Sequence, residues 1–123
     1  MSDLSSPAAP DLDALVPGWL TWAEAAAELG VTPAKVRTMV RDHELAAAVP
    51  ASGGGPHVPA GFVQDGLVLK GLPGLLTLLH DNGFDDRECI AWIYTDADLP
   101  GRPIDALRDN RGAEVKRRAQ ALA

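Results

Sequence analysis

Residues 21–44 constrain this chain more tightly than any other stretch. Thr21 and Glu24 stand at capping-box spacing, in which each side chain satisfies the other residue's free backbone N–H at a helix start. The run Trp22–Leu29 is rich in Ala and Glu, both strong helix formers. Gly30 follows where a helix closes on a left-handed residue. Thr32 then caps a second helix, with Pro33 at its first position, where a missing N–H is harmless. Val36, Met39 and Val40 form one apolar stripe, predicting a helix over residues 33–44. Two helices joined by so short a turn must cross closely and steeply. That needs a small residue on the first helix (Ala26), glycine in the turn (Gly30) and apolar residues after it (Val31, Val36, Met39). This is the spacing of a helix-turn-helix.

A second helix held this way presents an outer face. Lys35, Arg37, Thr38 and Arg41 lie off the apolar stripe, and Thr32 opens the helix. Arg and Lys so placed neutralise phosphates or read guanine edges, so these five residues are the expected contacts to double-stranded DNA. The competing reading is the solvated face of a structural hairpin, which Asp42 and Glu44 support. A net charge of −6 argues against simple attraction to nucleic acid, but the charge is unevenly distributed. Residues 1–20 carry three acids and no base, whereas six bases and three acids fall between Arg102 and Arg118. Lys116, Arg117 and Arg118 are adjacent on a predicted helix and cannot all point inward, which makes them a second candidate phosphate contact.

The rest of the chain divides around this motif. Residues 1–16 combine Ser, Pro, Ala and Asp without a helical or strand period and read as a disordered tail. Its Ser5-Ser6-Pro7 is better explained as plain solubilising sequence than as a modification site. Residues 17–71 form the helix-turn-helix unit with a short β-hairpin. Leu45–Val49 and His57-Val58-Pro59 flank a Gly-rich tip that is expected to be flexible. Residues 60–64 are expected to make one helical turn, and Leu67–Leu69 a connector or short strand.

Residues 72–123 read as a helical C-terminal domain. A helix opens at Pro73, runs through Leu75, Leu76, Leu78 and Leu79, and closes at Asn82-Gly83. Asp85 and Glu88 box the next, which carries Ile90, Trp92 and Ile93. After a loop over residues 96–102, Pro103 opens a short helix with Ile104 and Leu107. Beyond Gly112 a last helix turns Val115, Ala119 and Leu122 inward. The fold class is therefore mainly α: a helix-turn-helix with a short hairpin, then a small helical domain. Its aromatics are few, and Trp19, Trp22 and Trp92 are the expected large anchors. The apolar residues of 72–123 exceed what one small unit needs to cover. They point to a protein-contact surface, first for a homodimer and otherwise for another protein partner, against the plainer alternative of a monomer whose C-terminal helices only stabilise the fold.

Other classes find little support. One cysteine, Cys89, excludes an intrachain disulfide and suits a reducing compartment. With no basic leader and no long apolar run, a cytoplasmic location and no membrane contact are expected. His43, His57, His80 and Cys89 lack metal-ligand spacing, and His43 and His80 are better read as helix ends, where an imidazolium suits the dipole. Gly53-Gly54-Gly55 is not followed by the Lys-Ser or Lys-Thr of a phosphate cradle. Asp85-Asp86 is explained by capping and Asp96/Asp98 by a loop. No catalytic residue, metal or cofactor is expected.

The segment 20–40, followed by Leu45–Val49 and His57-Val58-Pro59-Ala60, resembles the winged helix-turn-helix of excisionase-like and MerR-like proteins. Leu72-Pro73-Gly74, Leu78-Leu79-His80-Asp81, Gly83-Phe84, the string Gly101-Arg102-Pro103-Ile104-Asp105-Ala106-Leu107 and Glu114–Ala119 resemble the C-terminal domain of a small actinobacterial family of such regulators. The resemblance implies a bacterial winged-helix DNA-binding regulator that reads the major groove with residues 33–44. The string 101–107 is also similar to the toxin-binding domain of some antitoxins, which supplies an alternative: a C-terminal domain that binds a toxin or other protein.

Overall fold

The computed structural model describes residues 12–51, 53–95 and 101–122. Helix α2 (Trp22–Leu29) starts on the predicted box: the Glu24 amide donates to Thr21 Oγ1 at 3.1 Å and the Thr21 amide to Glu24 Oε1 at 2.8 Å. It ends on Gly30 at φ 70°, ψ 32°, and Val31 N donates back to Ala26 O at 3.0 Å. Helix α3 (Pro33–Arg41) starts on Thr32, whose Oγ1 accepts from Lys35 N at 3.1 Å. Ala25, Ala26 and Val36 are buried where the two helices cross, which requires the small residues on α2.

Helix α3 is shorter than the predicted span of residues 33–44. Its last turn closes with Asp42 N on Thr38 O and Glu44 N on Met39 O, while His43 adopts a left-handed φ of 64°. The reversal takes Leu45 and Ala46 to full burial. Burial of a leucine contributes roughly 1.5–3 kcal/mol, against about 1–2 kcal/mol for one left-handed non-glycine residue. The burial outweighs the cost, and the helix stops.

The sheet that follows is small. Ala48 and His57 bridge, with Ala48 N to His57 O at 3.0 Å and His57 N to Ala48 O at 2.8 Å. Strand β2 (Val58–Pro59) then pairs antiparallel with β1 (Trp19–Leu20), Leu20 opposite Val58. The predicted hairpin is thus present as a single bridge, and its second arm is held by a strand from ahead of the helix-turn-helix. After a 3-10 turn at Ala60–Phe62, β3 (Val63–Gln64) and β4 (Leu67–Val68) form a second hairpin around Asp65-Gly66, both at positive φ. This is the two-residue turn whose twist matches paired strands.

Helix α4 (Leu72–Asp81) follows, then α5 (Asp86–Tyr94), boxed by Asp85 and Glu88 as expected, α6 (Pro103–Arg108) and α7 (Gly112–Gln120). Most of the expected loop, residues 96–100, lies outside the described residues. α7 packs on α4 and α6, and α5 on α4 and α6. The architecture is mainly α, as expected.

Three expectations change. Residues 12–16, expected within a disordered tail, include helix α1 (Leu12–Leu15), which packs on α5 with Leu12 and Val16 each 3% exposed. Their three-residue apolar spacing is too short to register as a helical period. The tryptophans are half-buried rim residues, and Phe62 and eight Leu or Ile side chains fill the centre instead. Leu122, expected inward, is 45% exposed because α7 ends at Gln120.

One apolar core runs from Leu12 to Ala119 and joins the two halves of the chain. Polar contacts reinforce the joint. Arg108 Nη1 donates to Gly61 O at 2.8 Å, and Asp86 Oδ2 accepts from Ala47 N at 3.1 Å. The stacked rings of His43 and His80 lie 3.8 Å apart, with His80 Nε2 2.9 Å from Asp86 Oδ1.

Candidate nucleic-acid interface

The inner side of α3 is fixed by Val36 and Met39, both buried against α2. With 3.6 residues per turn, the opposite side falls to Ala34, Arg37, Thr38 and Arg41, and Lys35 lies on one flank. Lys35, Arg37 and Arg41 are exposed. Arg37 and Arg41 are one turn apart on the same side. Arg41 Nε sits 3.6 Å from Asp42 Oδ1 with its side chain 74% exposed, so that pair is solvated and weak and yields readily to a phosphate. Thr38 is half-buried, and its hydroxyl donates to Ala34 O at 3.2 Å. Thr32 is exposed but its Oγ1 caps the helix, so it positions the face before it contacts anything.

The wing leaves the body beyond the Ala48–His57 bridge. Gly53, Gly54 and Gly55 hold φ of 81°, 85° and 81°, a left-handed run that only glycine adopts without strain. The expected flexible tip has local ties. Gly53 N donates to Pro50 O at 2.9 Å, and His57 Nδ1 lies 2.8 Å from Gly55 O. Its base is tied from outside too: Ala51 N donates to Asp13 Oδ2 at 2.8 Å.

The second basic group sits elsewhere. α7 packs on α4 and α6, whereas α3 packs on α2. On α7, Lys116 and Arg117 are exposed and Arg118 is half-buried beside the buried Val115 and Ala119. Lys116 and Lys70 line one cleft of about 460 Å³ between the start of α4 and the start of α7. Sequence reasoning missed Lys70 because it stands alone between Leu69 and Gly71.

The acid–base chemistry of the body is quiet. Burial, and then the Asp86, Asp85 and Glu88 carboxylates, push the Cys89 thiol up to about 12, which leaves it un-ionised and inert. Burial pushes the Tyr94 phenol up to about 12, against the opposing pull of Arg102 and Arg108. The hydrogen bond from the Arg102 side chain holds the Asp105 carboxyl below its usual range. Among the described residues no helix is long and apolar enough to cross a membrane.

A helix-turn-helix whose second helix shows a basic outer face, followed by a bridged wing, defines a winged helix-turn-helix protein of the DNA-binding class. The chain belongs to the Rv2175c family. Residues 7–63 match the family described as "DNA-binding protein Rv2175c, wHTH domain", and residues 69–123 match "Rv2175c C-terminal domain of unknown function". The DNA-binding protein Rv2175c of Mycobacterium tuberculosis (strain ATCC 25618 / H37Rv) is 41% identical over 109 residues, covering 77% of this chain and 73% of the relative. An NMR structure of Rv2175c is similar at a TM-score of 0.73 and 35% identity, covering 99% of this chain and 86% of that one. The actinobacterial resemblance is thereby met in both halves, and no observation favours the antitoxin-like alternative.

Proposed function

We propose that this protein is a transcriptional regulator that binds double-stranded DNA, with α3 in the major groove and the wing beside it. The observation that carries the reading is the outer face of α3. Arg37 and Arg41 project one turn apart from a helix whose inner side is locked by Val36 and Met39. Both arginines and Thr38 face the groove, and Lys35 on the flank meets the phosphate backbone. Thr32 sets the helix start. Lys116 and Arg117 serve as a separate phosphate contact, joined by Arg118 if the half-buried guanidinium turns outward. Such a protein works on the chromosome, in the bacterial cytoplasm, as a binding protein and not as an enzyme.

With a net charge of −6, affinity is modest and carried by counterion release. Each phosphate neutralised adds about −0.9 to the slope of log affinity against log salt. Arg37→Ala with Arg41→Ala is expected to weaken binding at low salt and to flatten that slope by up to about 2. Stability should move by no more than about 0.5 kcal/mol, because both side chains are exposed. Unchanged binding in the folded double variant overturns the assignment.

The homodimer needs a different argument from the one the sequence offered. Leu75, Leu76, Leu79, Ile90, Ile93, Ile104, Leu107 and Val115 are all buried within the chain, so the apolar surplus of residues 72–123 fills its own core. The form of self-association proposed here is a dimer assembled on DNA, where adjacent half-sites raise the effective concentration of the second copy.

A further inference from the structure

Helix α1 ends against the wing, and one carboxylate makes the connection. Leu12 and Val16 are buried on either side of Asp13 and fix α1 against α5, and Arg102 Nη1 reaches Leu15 O at 3.5 Å. Asp13 therefore stands on a rigid mount. Its Oδ1 accepts from Trp19 Nε1 at 3.0 Å, and its Oδ2 accepts from Ala51 N at 2.8 Å. Trp19 belongs to β1, which pairs with the return arm of the wing at Pro59, and Ala51 lies on the outgoing arm. One side chain thus bonds the outgoing arm, from a residue 38 positions away in the chain, and also the strand that pairs with the return arm. Among the described residues no strand ladder holds the outgoing arm past the Ala48–His57 bridge, and the glycines of the tip have little intrinsic preference of their own.

We propose that Asp13 is a positioning residue for the wing: by holding the Ala51 amide it sets the angle at which the Gly53–Gly55 tip leaves the body, and so makes α1 a working part of the DNA interface. The inference rests on the DNA-binding reading above. A wing held in its bound pose loses less conformational entropy on docking than a free one. Losing a charge-assisted bond to an exposed amide, and the order that goes with it, should weaken binding about threefold to tenfold.

The test uses the full chain, a mixed-sequence duplex at low salt, and residue-resolved amide exchange. In Asp13→Ala, exchange at Ala51 and Gly53–Gly55 should accelerate while Leu79 and Ile93 stay protected, and duplex affinity should fall in the stated range. Trp19→Phe removes the indole donor and leaves the Ala51 bond, so wing protection and affinity should hold. Wing amides unchanged in Asp13→Ala overturn the proposal, as does a freed wing with unchanged affinity. If Asp13→Ala also loosens Leu79 and Ile93, the Asp13→Asn variant decides. Asparagine offers one carbonyl oxygen to two donors, and freed wing amides over a protected core support the proposal. A core loosened in both variants makes Asp13 a mount for α1 alone and refutes it. If the wild-type chain binds no duplex, the DNA reading fails, and this role in the interface falls with it. The exchange arm still reads whether Asp13 clamps the wing.

Discussion

Gly61→Ala should damage the joint between the winged helix and the C-terminal helices, but should do no further damage in a Tyr94→Phe background. A Cβ added at Gly61 would come within 2.6 Å of Tyr94 Oη, and within 3.6 Å of Ile104 Cδ1. Tyr94 is 2% exposed and cannot swing into solvent. The phenol oxygen must shift away from the Gly61 backbone, or α5 must move. Overpacking of this kind costs about 1–3 kcal/mol. Against it stands a gain of about 0.4–1 kcal/mol, because alanine restricts the unfolded chain at a position without positive φ. The net expectation is a loss of about 1–2 kcal/mol, several degrees in Tm for a chain this size. Tyr94→Phe alone gives up the phenol's polar contact with the Gly61 backbone, at most about 1 kcal/mol. In that background the colliding oxygen is gone, and Gly61→Ala should be neutral or slightly stabilising. Urea unfolding of the two single variants and the double variant closes the cycle. A coupling of about 1–2 kcal/mol, with the double variant more stable than the singles sum to, supports the geometry. Additivity within about 0.5 kcal/mol refutes it, since residues out of contact add in that way.

Tyr94 is the chain's one tyrosine, so absorbance near 295 nm reports it alone. Its phenol is raised from 10.0 to about 12, so the folded state keeps a proton that the unfolded state loses. That contribution is complete below pH 10 and is lost as pH rises through about 12, on the order of 2–3 kcal/mol in all. Alkaline unfolding should coincide with the tyrosinate signal, and a phenol titrating near 10 in the folded chain would contradict its burial. Light scattering should find a monomer in solution, because the large apolar side chains left exposed among the described residues, Val49, Leu67 and Leu122, are few. On a duplex carrying two adjacent sites the mass should rise by two copies; a single bound copy at saturation removes the dimer.

How much of this was legible in the sequence depended on how local the cause was. Thr21, Gly30, Thr32 and Asp85 act within four residues, and the helix boundaries they set are where the spacing put them. Asp65-Gly66 is equally local, a strong two-residue hairpin signal, yet the hairpin went unread because its strands are two residues each and show no alternation. Helix α1 and the end of α3 were not legible for a different reason. Leu12 and Val16 gain their energy from α5, over seventy residues away, and the chain reverses at His43 so that Leu45 can be buried. The His43–His80 stack and the Asp86–Ala47 bond belong to the same class. Asp86 looked like a second carboxylate in a capping sequence, and spacing alone does not say that it bonds across the joint.

The same distinction decides what the C-terminal half contributes to the interface. Its residues read as a separable helical domain with apolar area to spare, and the structure places that area inside a core that reaches Ala25 and Val36 without interruption. Helix α3 is therefore braced twice. α2 holds its inner side, while Asp86, His80 and Arg108 hold the segments that leave it. A rigid mount matters most for a weakly charged reader. On the proposed reading, Arg37 and Arg41 cannot rely on long-range attraction from a chain of net charge −6, so their contribution would depend on reaching the groove already in place. On this argument, a substitution that loosens the joint, such as Gly61→Ala, lowers DNA affinity without touching a DNA-facing residue, and in a Tyr94→Phe background it lowers neither stability nor affinity further.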